Sequence, residues 1–298
     1  SLADNMILRN GYTKDRIRKE KPKKNLVPLM RNEEVIEYPC DQTTLTKRYT
    51  EEAIKFISKN KDSPFFLYLP HTMPHIPLFA SEQFKGKSKR GLYGDTIEEI
   101  DWSVGQILKS IKEKGIDQRT LVIYTSDNGP WKLDRGRGGS AYPLRGFKFQ
   151  TYEGGMRVPC IMRWPGKIPK GTSCDEVAAS IDLMPTIAKL VGAEPLKDRK
   201  IDGKDIWPLI SGTEGAVSPH EIYYYYKGNR LESARQGKWK IRRSGKKSQS
   251  VELYDLDSDI SETKNLAKEN EVLVQAMIKK MNLFDEDLKK SQRPAGKL

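Results

Sequence analysis

The sequence predicts an α/β protein that ends in a small antiparallel sheet covered by one helix. Twice an amphipathic helical stretch runs into a short apolar strand pattern, at 46–60 then 65–69 and at 96–115 then 121–125. From about Ser211 the character changes, and four short strand patterns at hairpin spacing precede one long amphipathic stretch. The expected division is therefore 1–212 for the α/β portion and 213–298 for the smaller subdomain. At 298 residues the chain can bury a sizeable core.

Residues 1–45 are polar and lysine-rich with little periodicity, which predicts an irregular lid or connecting loop. Thr46 to Asn60 places Tyr49, Ala53, Phe56 and Ile57 at helical spacing, and Asp62-Ser63-Pro64 separates this helix from a buried strand at Phe65-Phe66-Leu67-Tyr68-Leu69. That strand runs into Pro70-His71-Thr72-Met73-Pro74-His75-Ile76-Pro77, a stiff loop holding two of the three histidines. Thr96 to Gly115 repeats the helical pattern with Ile97, Ile100, Val104, Ile107, Leu108 and Ile111 on one face, before a second strand at Leu121 to Thr125. Ser180 to Val191 reads as a helix burying Ile181, Met184, Ile187, Ala188 and Val191, with Asp182 as a first-turn carboxylate of structural value. The terminal strands are expected at Ile222–Tyr226, Leu231–Arg235, Lys238–Arg242 and Val251–Asp255. The final helix, Glu271 to Leu288, turns Leu273, Met277, Met281, Phe284 and Leu288 toward them. The tyrosine run is most simply a strand with one face in the core, with a sugar-stacking surface as the lesser reading.

The strand at Leu121–Thr125 ends in Ser126-Asp127-Asn128-Gly129-Pro130. A carboxylate and an amide oxygen side by side at a strand's carboxyl end suit a divalent cation such as calcium, although the same residue types also make ordinary turns. Leu144 to Pro159 mixes Arg145, Lys148 and Arg157 with Gly146, Gly154 and Gly155, a combination of cations and close backbone that suits an anion. Taken singly, His75 also reads as an ordinary loop residue and Lys148 as a solvated charge.

Composition narrows the partners. The net charge of +13 favours anionic substrates. The basic clusters at 16–24 and 242–247 lack interleaved aromatics and read as solvated faces, so nucleic acid is not expected. Arg135 to Ser140 is glycine-rich but lacks the Gly-Lys-Ser/Thr ending of a phosphate loop, and reads as a loop bordering the cleft. No stretch approaches the roughly 20 apolar residues that span a bilayer, so no membrane segment is expected. Three cysteines allow at most one internal disulfide, and no zinc spacing is present.

Together these strings resemble the sulfatase family, of arylsulfatase type, within the alkaline-phosphatase-like superfamily. The matching stretches run in family order: 64–77, 91–101, 124–130, 151–159, Trp164-Pro165-Gly166 and 180–186. Toward the end Gly237-Lys238-Trp239-Lys240, Glu252 to Leu256 and Asn265-Leu266-Ala267 resemble its C-terminal signatures. The resemblance implies an alkaline-phosphatase-like α/β/α domain. It makes Asp127 and Asn128 the second pair of calcium ligands, with Asp127 also serving the reacting oxygens. His75 becomes the residue that hydrogen-bonds the sulfate ester, and Lys148 the ammonium that neutralises sulfate oxygens. The implied substrate is a sulfated small molecule or sulfated glycan, and the implied address is secreted, periplasmic or lysosomal.

One departure matters. The family's nucleophile is a formylglycine made inside Cys/Ser-x-Pro/Ala-x-Arg, and none of Cys40, Cys160 and Cys174, nor any serine, stands in that context. The family's first aspartate pair and its Gly-Lys-x-His string are absent too. The chain is therefore expected to be the C-terminal part of a sulfatase, inactive without an N-terminal part and exposing an unpaired strand edge. Two other readings stay open: a phosphomonoester or phosphodiester hydrolase of the superfamily, and a noncatalytic glycan-binding module. Asn128 weighs against the first, because two-metal relatives typically carry histidine there.

Overall fold

The computed structural model describes residues 1–20, 26–133, 138–194, 198–244 and 250–294. Two compact units divide after Gly115, the first being Ser1–Gly115 and the second Ile116–Leu298. Much of the basic clusters at 16–24 and 242–247, and of the glycine-rich run at 135–140, lies outside the described residues.

In the first unit the opening is not the irregular loop that its composition predicts. β1 (Leu2–Leu8) pairs parallel with β3 (Glu34–Tyr38), and β2 (Leu29–Arg31) pairs antiparallel on the other side of β3. The helix α1 (Lys14–Lys19) starts where the Thr13 side chain accepts the Arg16 N–H. Ala3, Met6, Tyr12 and Tyr38 form a small core, with the two tyrosine rings edge-on at 5.0 Å. Periodicity fails here because the strands are short, both pairings shift register, and Glu37 is an inward carboxylate. Burial pushes the Glu37 pKa up, but Arg48, the Asp41 N–H and Arg9 together hold it below the usual carboxylate range.

The helices α2 (Leu45–Asn60) and α3 (Gly91–Glu113) pack together, as their amphipathic patterns predict. Their contact is partly polar: Thr50 Oγ1 lies 2.5 Å from Ser103 Oγ, and Ser103 Oγ lies 3.4 Å from His71 Nε2. α3 begins earlier than expected because the Asp95 carboxylate accepts the backbone N–H groups of Gly86, Lys87 and Ser88, and Glu99 accepts that of Ser81. Ile97 faces outward rather than joining the buried side.

The strand expected at Phe65–Leu69 forms no ladder among the described residues. An apolar segment becomes a strand only when a neighbour takes its backbone groups, and among the described residues no strand pairs with this one. Nor is the segment buried as expected, since Phe66 is 72% and Tyr68 76% exposed.

In the second unit β4 (Val122–Thr125) pairs antiparallel with β5 (Cys160–Arg163), a strand the sequence reading did not include. Arg163 makes a two-pronged ion pair to Asp117 at 2.6 and 2.8 Å, fixing the turn that feeds β4. Three short helices follow: α4 (Glu153–Met156), α5 (Leu183–Leu190) and α6 (Trp207–Ile210). Around α5 the expected burial is reversed: Ile181, Met184 and Val191 are exposed, while Asp182 and Thr186 are buried. The buried side is polar because Asp182 accepts the Ala179 and Lys204 N–H groups and pairs with His220, and Thr186 Oγ1 accepts the Ile206 N–H.

The C-terminal meander appears where its hairpin spacing predicts. Its strands β6 (Tyr223–Lys227), β7 (Arg230–Gln236), β8 (Trp239–Ser244) and β9 (Ser250–Asp255) run antiparallel in sequence order, and α7 (Glu271–Ser291) covers one face. Leu231, Ala234, Ile241, Leu253, Val274, Met277 and Met281 form the core between them. The tyrosines are structural: Tyr224 stacks on Phe284 at 3.9 Å, Tyr225 is buried, and Tyr226 donates to Asp285. Among the described residues no helix is long and apolar enough to cross a membrane.

Candidate functional site

β4 delivers Asp127 and Asn128 to its carboxyl end, where Asp127 is exposed and Asn128 half-buried. The Asn128 amide nitrogen donates to the Gly129 carbonyl at 3.2 Å, leaving its side-chain oxygen as an acceptor. Gly129 is a requirement of close approach: a Cβ there would stand 2.0 Å from the Gly154 carbonyl oxygen. Its N–H donates to the Gly155 carbonyl at 3.1 Å, and the Lys148 N–H donates to the Pro130 carbonyl at 2.9 Å. The Asp127–Asn128 turn and the Lys148 loop are thus stitched together by backbone on both sides. Lys148 is half-buried, its ammonium 5.5 Å from the centres of the Trp131 and Phe149 rings.

The loop from Arg145 to Gly155 is itself held by the meander. The Arg145 guanidinium lies over the Tyr152 ring at 4.1 Å and donates to the Tyr254 hydroxyl and to the Glu262 carbonyl. Thr151 donates to Glu232 at 2.6 Å, and the Tyr152 hydroxyl to Glu252 at 3.1 Å, with Arg242 bonded to all three neighbours Thr151, Tyr152 and Glu252. Glu153 receives Lys240 at 2.8 Å. Lys240 and Ile241, adjacent on β8, are both fully buried on opposite faces, one against this loop and the other against α7. Arg242, which the sequence places in a solvated basic cluster, is therefore covered on this face of β8. Period-2 alternation revealed the faces but not the cover, because the cover lies 87 residues away from Lys240 in the chain.

His75 belongs to the first unit, and so does the cavity of about 430 Å³ whose wall it shares with Val27, Leu29, Tyr49, Met73 and Ile76. Its Nδ1 lies 2.7 Å from the Ile76 carbonyl oxygen. His71 is more enclosed, and burial lowers its pKa.

Asp127 and Asn128 suit a hard cation in kind, as neighbouring oxygen donors; among the described residues the Asp127 carboxylate meets the Ser126 hydroxyl at 3.5 Å. They would make up part of a ligand set. Among the described residues no group of three or more His, Cys, Asp or Glu could hold a metal ion.

The fold is mixed α/β, with a strand-end acid–amide couple tied by backbone to a lysine-bearing loop. Residues 3–193 match the family model described as Sulfatase, and residues 147–290 match that described as N-sulphoglucosamine sulphohydrolase, C-terminal. This chain belongs to the sulfatase family. It is 43% identical over 212 residues to human (Homo sapiens) steryl-sulfatase, covering 70% of this chain and 36% of that protein. It is 40% identical over 226 residues to N-acetylgalactosamine-6-sulfatase of Mus musculus, covering 72% and 43% respectively. Among solved structures, Ps i-CgsB superposes with a TM-score of 0.76 at 29% identity over 90% of this chain and 59% of that one. The chain thus spans less than half the length of those two curated relatives.

Proposed function

We propose that this chain carries the sulfate-binding part of a calcium-dependent sulfatase that hydrolyses a sulfate ester with a formylglycine supplied by a preceding segment. The observation that supports this reading most directly is the pair of backbone bonds joining the Asp127–Asn128 turn to the Lys148 loop. In a family of sulfate-ester hydrolases, backbone bonds that tie a lysine-bearing loop to a turn carrying two hard oxygen donors support reading the three residues as one sulfate-binding group. Asp127 and Asn128 would hold calcium, which when bound supplies positive charge to the sulfate oxygens. Lys148 would take a sulfate oxygen through its ammonium, and His75 would donate a hydrogen bond to the ester oxygen as negative charge builds there. The adjacent aromatic rings shield the Lys148 ammonium from part of its water, which strengthens its pull on an anion.

The substrate is a sulfated small molecule or a sulfated glycan. Human steryl-sulfatase, 43% identical, supports the first, and a structure of Ps i-CgsB in complex with k-i-k-neocarrahexaose, 29% identical, supports the second. The nucleophile is the part this sequence lacks, so the isolated chain is expected to be inactive on an aryl sulfate while the intact protein turns it over. Assaying both on a chromogenic aryl sulfate is the test. Turnover by the isolated chain above blank, or none by the intact protein on aryl and glycan sulfates alike, overturns the proposal. Calcium titration calorimetry on the intact protein should show one site that Asp127→Ala weakens; unchanged affinity would remove Asp127 from the ligand set.

A further inference from the structure

We infer that the buried cluster of Lys240, Glu153 and Glu262 is a positioning device that fixes the turn bearing Asp127 and Asn128. The inference rests on the sulfatase reading for its catalytic consequence and on geometry for the rest. Lys240 Nζ lies 2.8 Å from Glu153 Oε1 and 3.1 Å from Glu262 Oε1, and all three side chains are buried. The other Glu262 oxygen accepts the backbone N–H of Glu153 at 2.7 Å, so one carboxylate grips the lysine and the start of α4 together. Arg235 lies 3.6 Å from Glu153 Oε2, which balances two carboxylates with two cations. The Tyr225 ring closes the cluster, 4.9 Å from the ammonium.

From Glu153 the constraint passes to the site in two residues. The Gly154 N–H donates to the Arg145 carbonyl at 2.7 Å, and the Gly155 carbonyl accepts the Gly129 N–H. A Cβ on Gly155 would stand 2.1 Å from the Gln150 carbonyl oxygen, so the backbone here is packed without slack. Apolar packing would hold the loop down without choosing its register. A directional ion cluster selects one arrangement, because any slip leaves a charge unpaired in the interior.

The test uses Lys240→Met and the charge-compensated double variant Lys240→Met with Glu262→Gln in this chain, read by amide hydrogen exchange and thermal melting. The single variant is expected to speed exchange at Gly129, Gly154 and Lys148 at least tenfold, with Ile241 and Leu253 much less affected. In the double variant the melting temperature should recover, since no charge is orphaned, while Gly129 and Gly154 stay fast. Recovery of the loop amides together with melting would mean a merely structural cluster and overturns the inference. If the single variant does not fold, Lys240→Arg keeps the charge and alters its geometry; unchanged exchange at Gly129 then overturns it equally. In the intact protein the double variant should lower kcat on an aryl sulfate at least tenfold at similar KM, and a loosened loop with unchanged kcat refutes the catalytic consequence. Absence of turnover in the unsubstituted protein would instead sink the sulfatase reading and leave the exchange result standing.

Discussion

Gly129 concentrates the constraint on Asn128 into one missing methyl group. Gly129→Ala drives a Cβ into the Gly154 carbonyl, so it should cost about 1–3 kcal/mol by overpacking, measurable in denaturant unfolding. A stability unchanged from the parent would show that the turn can shift. Lys148→Ala is the complementary case. It should cut turnover of the intact protein roughly 10²–10³-fold by removing a preorganised cation, while shifting folding by only about 0.5 kcal/mol. A large melting drop with normal turnover per folded molecule would reassign Lys148 to structure. His71 predicts a pH dependence: burial keeps the imidazole neutral in the fold, its pKa below the ordinary value near 6.5. The unfolded chain then binds the extra proton below about pH 6.5, so stability should fall as pH drops from 7 toward 5. His71→Gln should flatten that slope in melting curves; an identical slope would place the titration elsewhere. Asp127, Asn128 and Lys148 were singled out from the sequence because each stands in a short local string. Lys240 and Glu262 were not, since their value comes from partners far along the chain.

At the scale of elements, the meander and α7 were the most readable part, because strand alternation and helical spacing both survive in side chains that pack only there. Met277, fully buried in the core beneath α7, provides the check: Met277→Ala should cost about 2–5 kcal/mol in denaturant unfolding. A cost under about 1 kcal/mol would mean that the helix is loosely docked. The opening sheet was illegible for the opposite reason. Its strands are three to seven residues long, and its central strand carries a buried glutamate that composition reads as surface. At Phe65–Leu69 the sequence showed the strand pattern without showing whether a partner exists. The apolar faces of Ile181, Met184 and Val191 misled for a related reason, since the polar bonds of Asp182 and Thr186 had already claimed the inside.

For the molecule as a whole, the charge of +13 makes attraction of polyanions a long-range property of the entire surface. Binding of the intact protein to a sulfated glycan should weaken steadily as salt is raised through the physiological range, where the screening length shrinks to about 8 Å. A salt-independent affinity, measured by calorimetry, would mean that recognition is confined to short contacts. Family membership was readable from the order of many weak strings along the chain. The dependence of the Lys148 loop on the C-terminal sheet was not, because it runs through side-chain bonds between residues far apart in the chain, such as Thr151 with Glu232 and Glu153 with Lys240.

That dependence limits how such proteins can be recombined. A chimera that takes its Arg145–Gly155 loop from one parent and its last four strands from another inherits mismatched halves of an ionic lock. Viable crossover points should fall outside the interval from Arg145 to Glu262, so these distant stretches are expected to travel through exchange as a single heritable block.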